Sequence, residues 1–236
     1  MHEQDAAHYK RHRFPPVIIG HAVWRYCRFA LSYRNVEELP AERGVIVTYE
    51  TVRQRCRTCG QAYANELRRR RSRPGDTWPL AAAFISSNGR QHSLRRAVDQ
   101  DGHVLDILVQ RHRNTAAAEK SFRRLLKDRA YVPRVVSTEK LACYRAAKRE
   151  VMPSVEHRQH KRLNNRAEHA HQLTRERERR RRRFTRPGHA QWFLAAYGPS
   201  TAHFRPRCRR LIAAYRETRT ARFQIWHAVT GTTVVA

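Results

Sequence analysis

The stretch that decides the fold runs from Trp78 to Gln110, WPLAAAFISSNGRQHSLRRAVDQDGHVLDILVQ. Trp78 to Ile85 is apolar, and Asn88-Gly89 after it is the strongest short hairpin signal, because both central residues of a type I′ turn need positive φ. Residues 92–98 read as a second strand, and Asp101-Gly102 gives another tight turn. His103 to Gln110 reads as a third strand, with Leu105, Ile107 and Val109 on one face. Three antiparallel strands are expected.

Downstream, Thr115 is expected to cap a helix over AAAEKSFRRLLKD, with Phe122, Leu125 and Leu126 available for packing. After Pro133, residues 134–138 read as a short buried strand. A helix containing Leu141, Tyr144 and Ala147 follows. Strand, strand, strand, helix, strand, helix describes an α/β domain, a mixed sheet with flanking helices.

Upstream, Pro15 and Pro16 can open a helix whose first turn has amide donors to spare. Ile18, Ile19, Ala22, Val23, Tyr26 and Phe29 recur along it at helical spacing. Ser32 is a candidate cap for a second helix reaching about Arg43, which Pro40 should kink or truncate. Thr48 caps a third, with Val47 and Val52 spaced as a hydrophobic staple. On that third helix Val52, Cys56, Cys59 and Tyr63 share one side and leave Arg53, Gln54 and Arg57 outward. Two short helices, a turn at Gly44 and an Arg/Gln face fit a small all-α helix-turn-helix domain, in which such side chains reach base edges in the major groove. A plain basic three-helix bundle is the simpler alternative.

Charge narrows the partners. Lys and Arg number 49 against 20 Asp and Glu, a formal net charge of +29, which calls for a polyanion. Most are Arg, whose planar guanidinium suits phosphate. LRRRRSR (67–73), leading into Pro74-Gly75, reads as a basic linker in which Arg70 and Arg71 track phosphates. In RERERRRRRF, starting at Arg175, the consecutive Arg179, Arg180, Arg181, Arg182 and Arg183 read as a second phosphate track. Long apolar runs and an export signal are both missing, so the expectation is a cytoplasmic, DNA-associated protein that does not span a membrane. The five cysteines, an odd count, are expected as reduced thiols. Cys56 and Cys59 form a solitary CxxC, and a structural zinc site needs two further ligands, so they are read as small residues on a helix face.

The block from Gly75 to Leu126, then VVSTEK (135–140) and EHRQHKRLNNRAEHAH (156–171), resembles the catalytic core of a short bacterial insertion-sequence transposase. It is similar to the DDE type with a ribonuclease H-like integrase core, in the group that joins replicons as cointegrates. RAVDQDG (96–102) and LNNRAEH (163–169) are its most specific pieces. The resemblance extends back to His12 and forward to Trp226.

This resemblance implies a fold, a reaction and a set of residues. The first catalytic aspartate falls at Ala81 and its acidic neighbour at Ala82. The second aspartate falls at Glu139, and the catalytic glutamate at Glu168. Three convergent carboxylates would hold two Mg²⁺ ions for phosphoryl transfer on DNA, and alanine offers no ligand oxygen. Glu139 and Glu168 are therefore the remaining candidate catalytic and metal-binding residues, and Mg²⁺ binding by this chain is in doubt. Asp76, Asp99 and Asp101 are placed too far from Ala81, or on the wrong face, to substitute. The implied partners are double-stranded DNA, especially insertion-element terminal repeats, and further copies of the chain. His157, His160, His169 and His171 cluster in sequence, but 169 and 171 diverge on a helix and make a poor metal pair.

The expected division is a helix-turn-helix domain with its linker over 1–73, the ribonuclease H-like core over 74–183, and a helical extension over 184–236. Trp192 and Phe193 are expected as packing anchors in that extension. The expected function is transposase-like binding of element ends with impaired catalysis, or a non-catalytic regulatory remnant.

Overall fold

The computed structural model describes residues 9, 13–29, 31–71, 74–127, 131–159, 167, 171–172, 174–175, 178–179, 184–204 and 212–232. The chain divides into two compact units, residues 1–71 with 196–236, and residues 72–195. The expected extension over 184–236 is therefore shared between the two. The break at 71/72 falls within the basic segment read as a linker.

In the first unit, α1 (Pro16–Arg28) begins with proline in its first turn and buries Ile19, Ala22, Val23, Tyr26 and Cys27. Helix α2 (Tyr33–Ala41) is capped by Ser32, whose hydroxyl accepts the Asn35 amide while the Asn35 side chain answers to the Ser32 amide. It ends one residue beyond Pro40, and Gly44 supplies the left-handed turn at φ 73°. Helix α3 (Tyr49–Arg69) starts at Thr48, whose Oγ1 accepts from the Thr51 amide at 3.3 Å. Val52, Cys56, Cys59, Tyr63 and Leu67 form its buried side. Both cysteines of the CxxC are buried thiols inside a helix.

The second unit contains β1 (Thr77–Ser87), β2 (Arg90–Val98), β3 (Val104–Gln110), α4 (Thr115–Lys127), β4 (Val135–Thr138), α5 (Ala142–Val151) and β5 (Glu156–Gln159). Asn88 and Gly89, at φ 51° and 74°, turn β1 into β2, and Gly102 at φ 79° turns β2 towards β3. The sheet order is β3-β2-β1-β4-β5, with β1, β2 and β3 antiparallel and β4 and β5 added parallel to β1. This mixed sheet with flanking helices has the ribonuclease H-like arrangement. Trp78, Leu80, Ala97, Phe122, Leu125, Val136, Tyr144 and Ala147 form the core between the sheet and α4 and α5. Burial of each large member contributes about 1.5–3 kcal/mol.

One local expectation needs correction, and one strand was not foreseen. The cap of α4 is Asn114, whose Oδ1 accepts from the Ala117 amide at 3.0 Å, so Thr115 is already the first helical residue. The fifth strand, EHRQ, has no apolar residue to betray it and exists through its pairing with β4. Helix α6 (Pro187–Phe204) begins in this unit and ends in the first, and α7 (Ile212–Val229) belongs to the first.

Candidate DNA-processing site

Strand β1 has 11 residues and β4 has 4, and their pairing stops at Pro79↔Ser137. Beyond Pro79 the β4 pairing gives out until Phe184 bridges the same edge at Ser87, and the chain leaving β4 places Glu139 in the gap between. One Glu139 carboxylate oxygen accepts the Ala82 amide at 3.3 Å. The other accepts Nη2 of Arg113 at 2.7 Å, with the two side chains 26% and 27% exposed. The Arg113 guanidinium also stands over the Phe84 ring, 5.4 Å from its centroid. Further along the same edge, Glu178 Oε1 takes the Ser86 amide at 2.7 Å.

Ala81 is fully buried, and its cross-strand partner on β2 is Arg96, also buried. Nη2 of Arg96 donates to Thr174 Oγ1 at 2.6 Å. His171, three positions after Glu168 in the chain, is buried as well. Burial and the nearby Arg96 charge push its imidazole down to about 3, against an opposing pull from the Ala81 backbone. Arg95, next along β2, places its guanidinium 4.9 Å over the ring of Tyr144, whose phenol burial pushes up to about 12.

The methyl groups at 81 and 82 supply no oxygen, and both oxygens of Glu139 are engaged by an amide and a guanidinium. Divalent cations need carboxylate or carbonyl oxygens at about 2.0–2.6 Å. The residues described around Ala81 do not fit a two-metal clamp. Glu168 lies outside the described residues, as do His160 and His169.

Among the described residues, one group of three possible metal ligands exists, Asp99, Asp101 and His103. It sits at the β2–β3 turn, three residues along β2 from the partner of Ala81, or about 10 Å at strand spacing. Asp99 Oδ1 accepts the Asp101 and His103 amides at 2.9 and 2.8 Å, and Oδ2 faces His103 Nδ1 at 3.0 Å. Burial raises the pKa of Asp99, but these bonds outweigh it and hold the carboxyl below its ordinary value. The group builds the turn and is an incomplete ligand set. Asp76 is exposed and precedes β1, where its carbonyl accepts the Val135 amide.

The basic candidates fare unequally. Arg53, Gln54 and Arg57 are exposed on α3. Arg53 is tied to Glu50 by two bonds of 2.7 and 2.9 Å, and Arg70 to Glu66 at 2.8 Å. Arg71 donates to the Pro199 carbonyl at 2.9 Å. The two exposed ion pairs are weak in water, so a phosphate can displace them. Arg179 is exposed, and Arg180, Arg181, Arg182 and Arg183 lie outside the described residues. Sequence reading missed a groove of about 760 Å³ beside Glu139, lined by Lys140, Arg145, Arg149 and Gln159 among others. Two of its cations, Arg145 and Arg149, come from α5, which sequence periodicity marks only through its buried side, and Lys140 from the segment before it.

Among the described residues no helix is long and apolar enough to cross a membrane. A family description reading "DDE domain" matches residues 75–205. Two curated relatives, the transposases for insertion sequence-like element IS431mec and for insertion sequence element IS257 in transposon Tn4003, both of Staphylococcus aureus, are each 28% identical over 132 residues. That covers 56% of this chain and 59% of theirs, so the matched region spans under two thirds of either relative. Among solved structures, the HTLV-2 integrase catalytic core domain in complex with magnesium gives a TM-score of 0.40 at 11% identity, over 65% of this chain and 97% of that one. A simian T-cell lymphotropic virus intasome gives 0.40 at 14% identity, over 62% of each.

Proposed function

Since this chain belongs to the DDE-type insertion-sequence transposase family, we propose that it binds double-stranded DNA at insertion-element ends and is disabled for strand cleavage and transfer. The observation that carries the second half is the environment of Glu139: methyl groups at 81 and 82, and a guanidinium where a dication would be expected. In this reading Glu139 and Glu168 are the remnants of a triad whose first member is gone.

The DNA-binding half rests on charge and shape. Helices α2 and α3 form the helix-turn-helix, with Gln54 and Arg57 reading bases and Arg53 exchanging Glu50 for phosphate. Arg70, Arg71 and Arg179 through Arg183 hold the backbone, as do Lys140, Arg145 and Arg149 in the groove beside Glu139. Binding takes place on bacterial DNA in the cytoplasm, with two or more copies of the chain pairing two ends. A regulatory role follows if the bound ends are thereby withheld from active relatives.

The test is a mobility shift on a labelled duplex carrying a terminal repeat, run with and without Mg²⁺, followed by denaturing separation of the same samples. The expected result is a retarded complex containing intact strands under both conditions. Nicked or joined product that depends on Mg²⁺ would contradict the loss of catalysis, and no retardation at low salt would contradict the binding.

A further inference from the structure

In the first unit, helices α1, α6 and α7 bring together aromatic residues that lie some 180 positions apart in the chain. Trp24 meets Phe29 edge-on with centroids 5.3 Å apart, Phe223 at 5.2 Å and Phe204 at 5.9 Å. They wall a cavity of about 210 Å³ that Tyr215, Arg28, Arg219 and Arg222 complete. Much of the cluster is ordinary packing. Three features are not required by packing.

Phe29 and Tyr215 remain 43% and 42% exposed at the cavity, although both have large apolar faces. Three of the nine lining residues are arginines and none is acidic, so the opening attracts anions. The Arg28 guanidinium already stands over the Phe29 ring, 5.6 Å from its centroid. The indole N–H of Trp24 is buried and has no hydrogen-bond partner among the described residues. A buried donor left unsatisfied is costly, and an acceptor supplied by a ligand removes that cost.

From these features we propose that the cavity takes one unpaired nucleotide of bound DNA, its base stacked on Phe29 and Tyr215 and its phosphate between Arg28 and Arg219. The chemistry favours this occupant because a base presents a flat π-face and carbonyl acceptors, with an anion one sugar away. Aromatic platforms with arginine are the general means of holding single-stranded nucleic acid. An apolar peptide would satisfy the rings but bring no anion to an opening lined by arginines and no acidic residue. The inference rests on the DNA-binding reading and adds a second mode to it, recognition of an unpaired end beside the duplex.

The test uses the full chain with a blunt duplex and with the same duplex bearing a single-strand extension that contains 2-aminopurine. The extended duplex should bind about tenfold more tightly, the order expected for one stacked base, and its fluorescence should be quenched. The Phe29→Ala/Tyr215→Ala variant should lose both the gain and the quenching, while its blunt-duplex affinity and unfolding midpoint stay as in the original chain. Should that pair unfold, Tyr215→Leu alone, at an exposed position, should still reduce the quenching. Equal affinity for the two duplexes with unquenched fluorescence would overturn the pocket and leave duplex binding standing. Quenching that survives every substitution would also overturn it. Failure to bind either duplex would overturn the DNA-binding reading itself.

Discussion

At the scale of single residues, the centre beside Ala81 is organised by cations rather than around them. Arg113 and Glu139 form a pair shielded from most solvent, and removing one partner strands the other. Arg113→Leu should cost about 1–3 kcal/mol in urea unfolding, and a double-mutant cycle with Glu139→Gln should show coupling of about 1 kcal/mol or more. Coupling near zero would mean that the pair is only a surface contact. His171 gives a second prediction. Its folded pKa of about 3 lies below the ordinary 6.5, so between these values the unfolded chain binds the extra proton. The His171 contribution is therefore complete above pH 6.5 and is lost as pH falls towards 3, by about 1.4 kcal/mol per pH unit. His171→Leu should flatten that part of the stability profile, and an unchanged slope would show that the ring does not titrate on unfolding. That residues 81 and 82 are alanines, with no ligand oxygen, is legible in the sequence itself. The Arg113 partnership is not, since 26 positions and a helix separate the two residues.

At the scale of elements, turn chemistry made the sheet legible and edge chemistry hid part of it. Asn88-Gly89 and Asp101-Gly102 announce two hairpins because few other pairs accept positive φ. Strand β5 escaped because its sequence, EHRQ, lies at the sheet margin with every side chain partly or fully exposed. The Asn114 cap was missed because Asn and Thr stand side by side and either residue type can cap. Strand β3 is the opposite margin, and its outer backbone is engaged by one side chain: Gln191 Oε1 accepts the Val109 amide at 2.7 Å, and Nε2 donates to the Ile107 carbonyl at 2.8 Å. That bracket mimics a further strand and blunts a bare edge. Gln191→Leu should cost about 1–3 kcal/mol and speed hydrogen exchange at Val109 selectively, both measurable by native-state exchange. Thr48→Ala, which removes the cap of α3, should cost about 1 kcal/mol without changing the buried side of the helix.

At the scale of the whole molecule, a net charge of +29 points to a polyanionic partner from composition alone. Composition cannot say which arginines are available, and here Arg53 and Arg70 are each committed to a glutamate one turn away. The logarithm of DNA affinity should fall linearly with the logarithm of salt, by about 0.9 for each phosphate contacted. Arg179→Ala, at an exposed residue of the phosphate track, should reduce that slope by about one, and Arg53→Ala by less, because Arg53 must first leave Glu50. Equal effects would show that the ion pair is immaterial. The aromatic residues at 24, 29, 204 and 215 carry no shared signal in the sequence, since no local pattern links two ends of a chain. Among the described residues, the site beside Glu139 lacks the oxygens to hold two divalent cations. Electron paramagnetic resonance of Mn²⁺ titrated into the DNA-bound chain and into the Ala81→Asp/Glu139→Asp variant tests it most directly. Only weak, DNA-associated Mn²⁺ is expected in the original, and a new tight population in the variant. Two tightly bound ions in the original chain would contradict it.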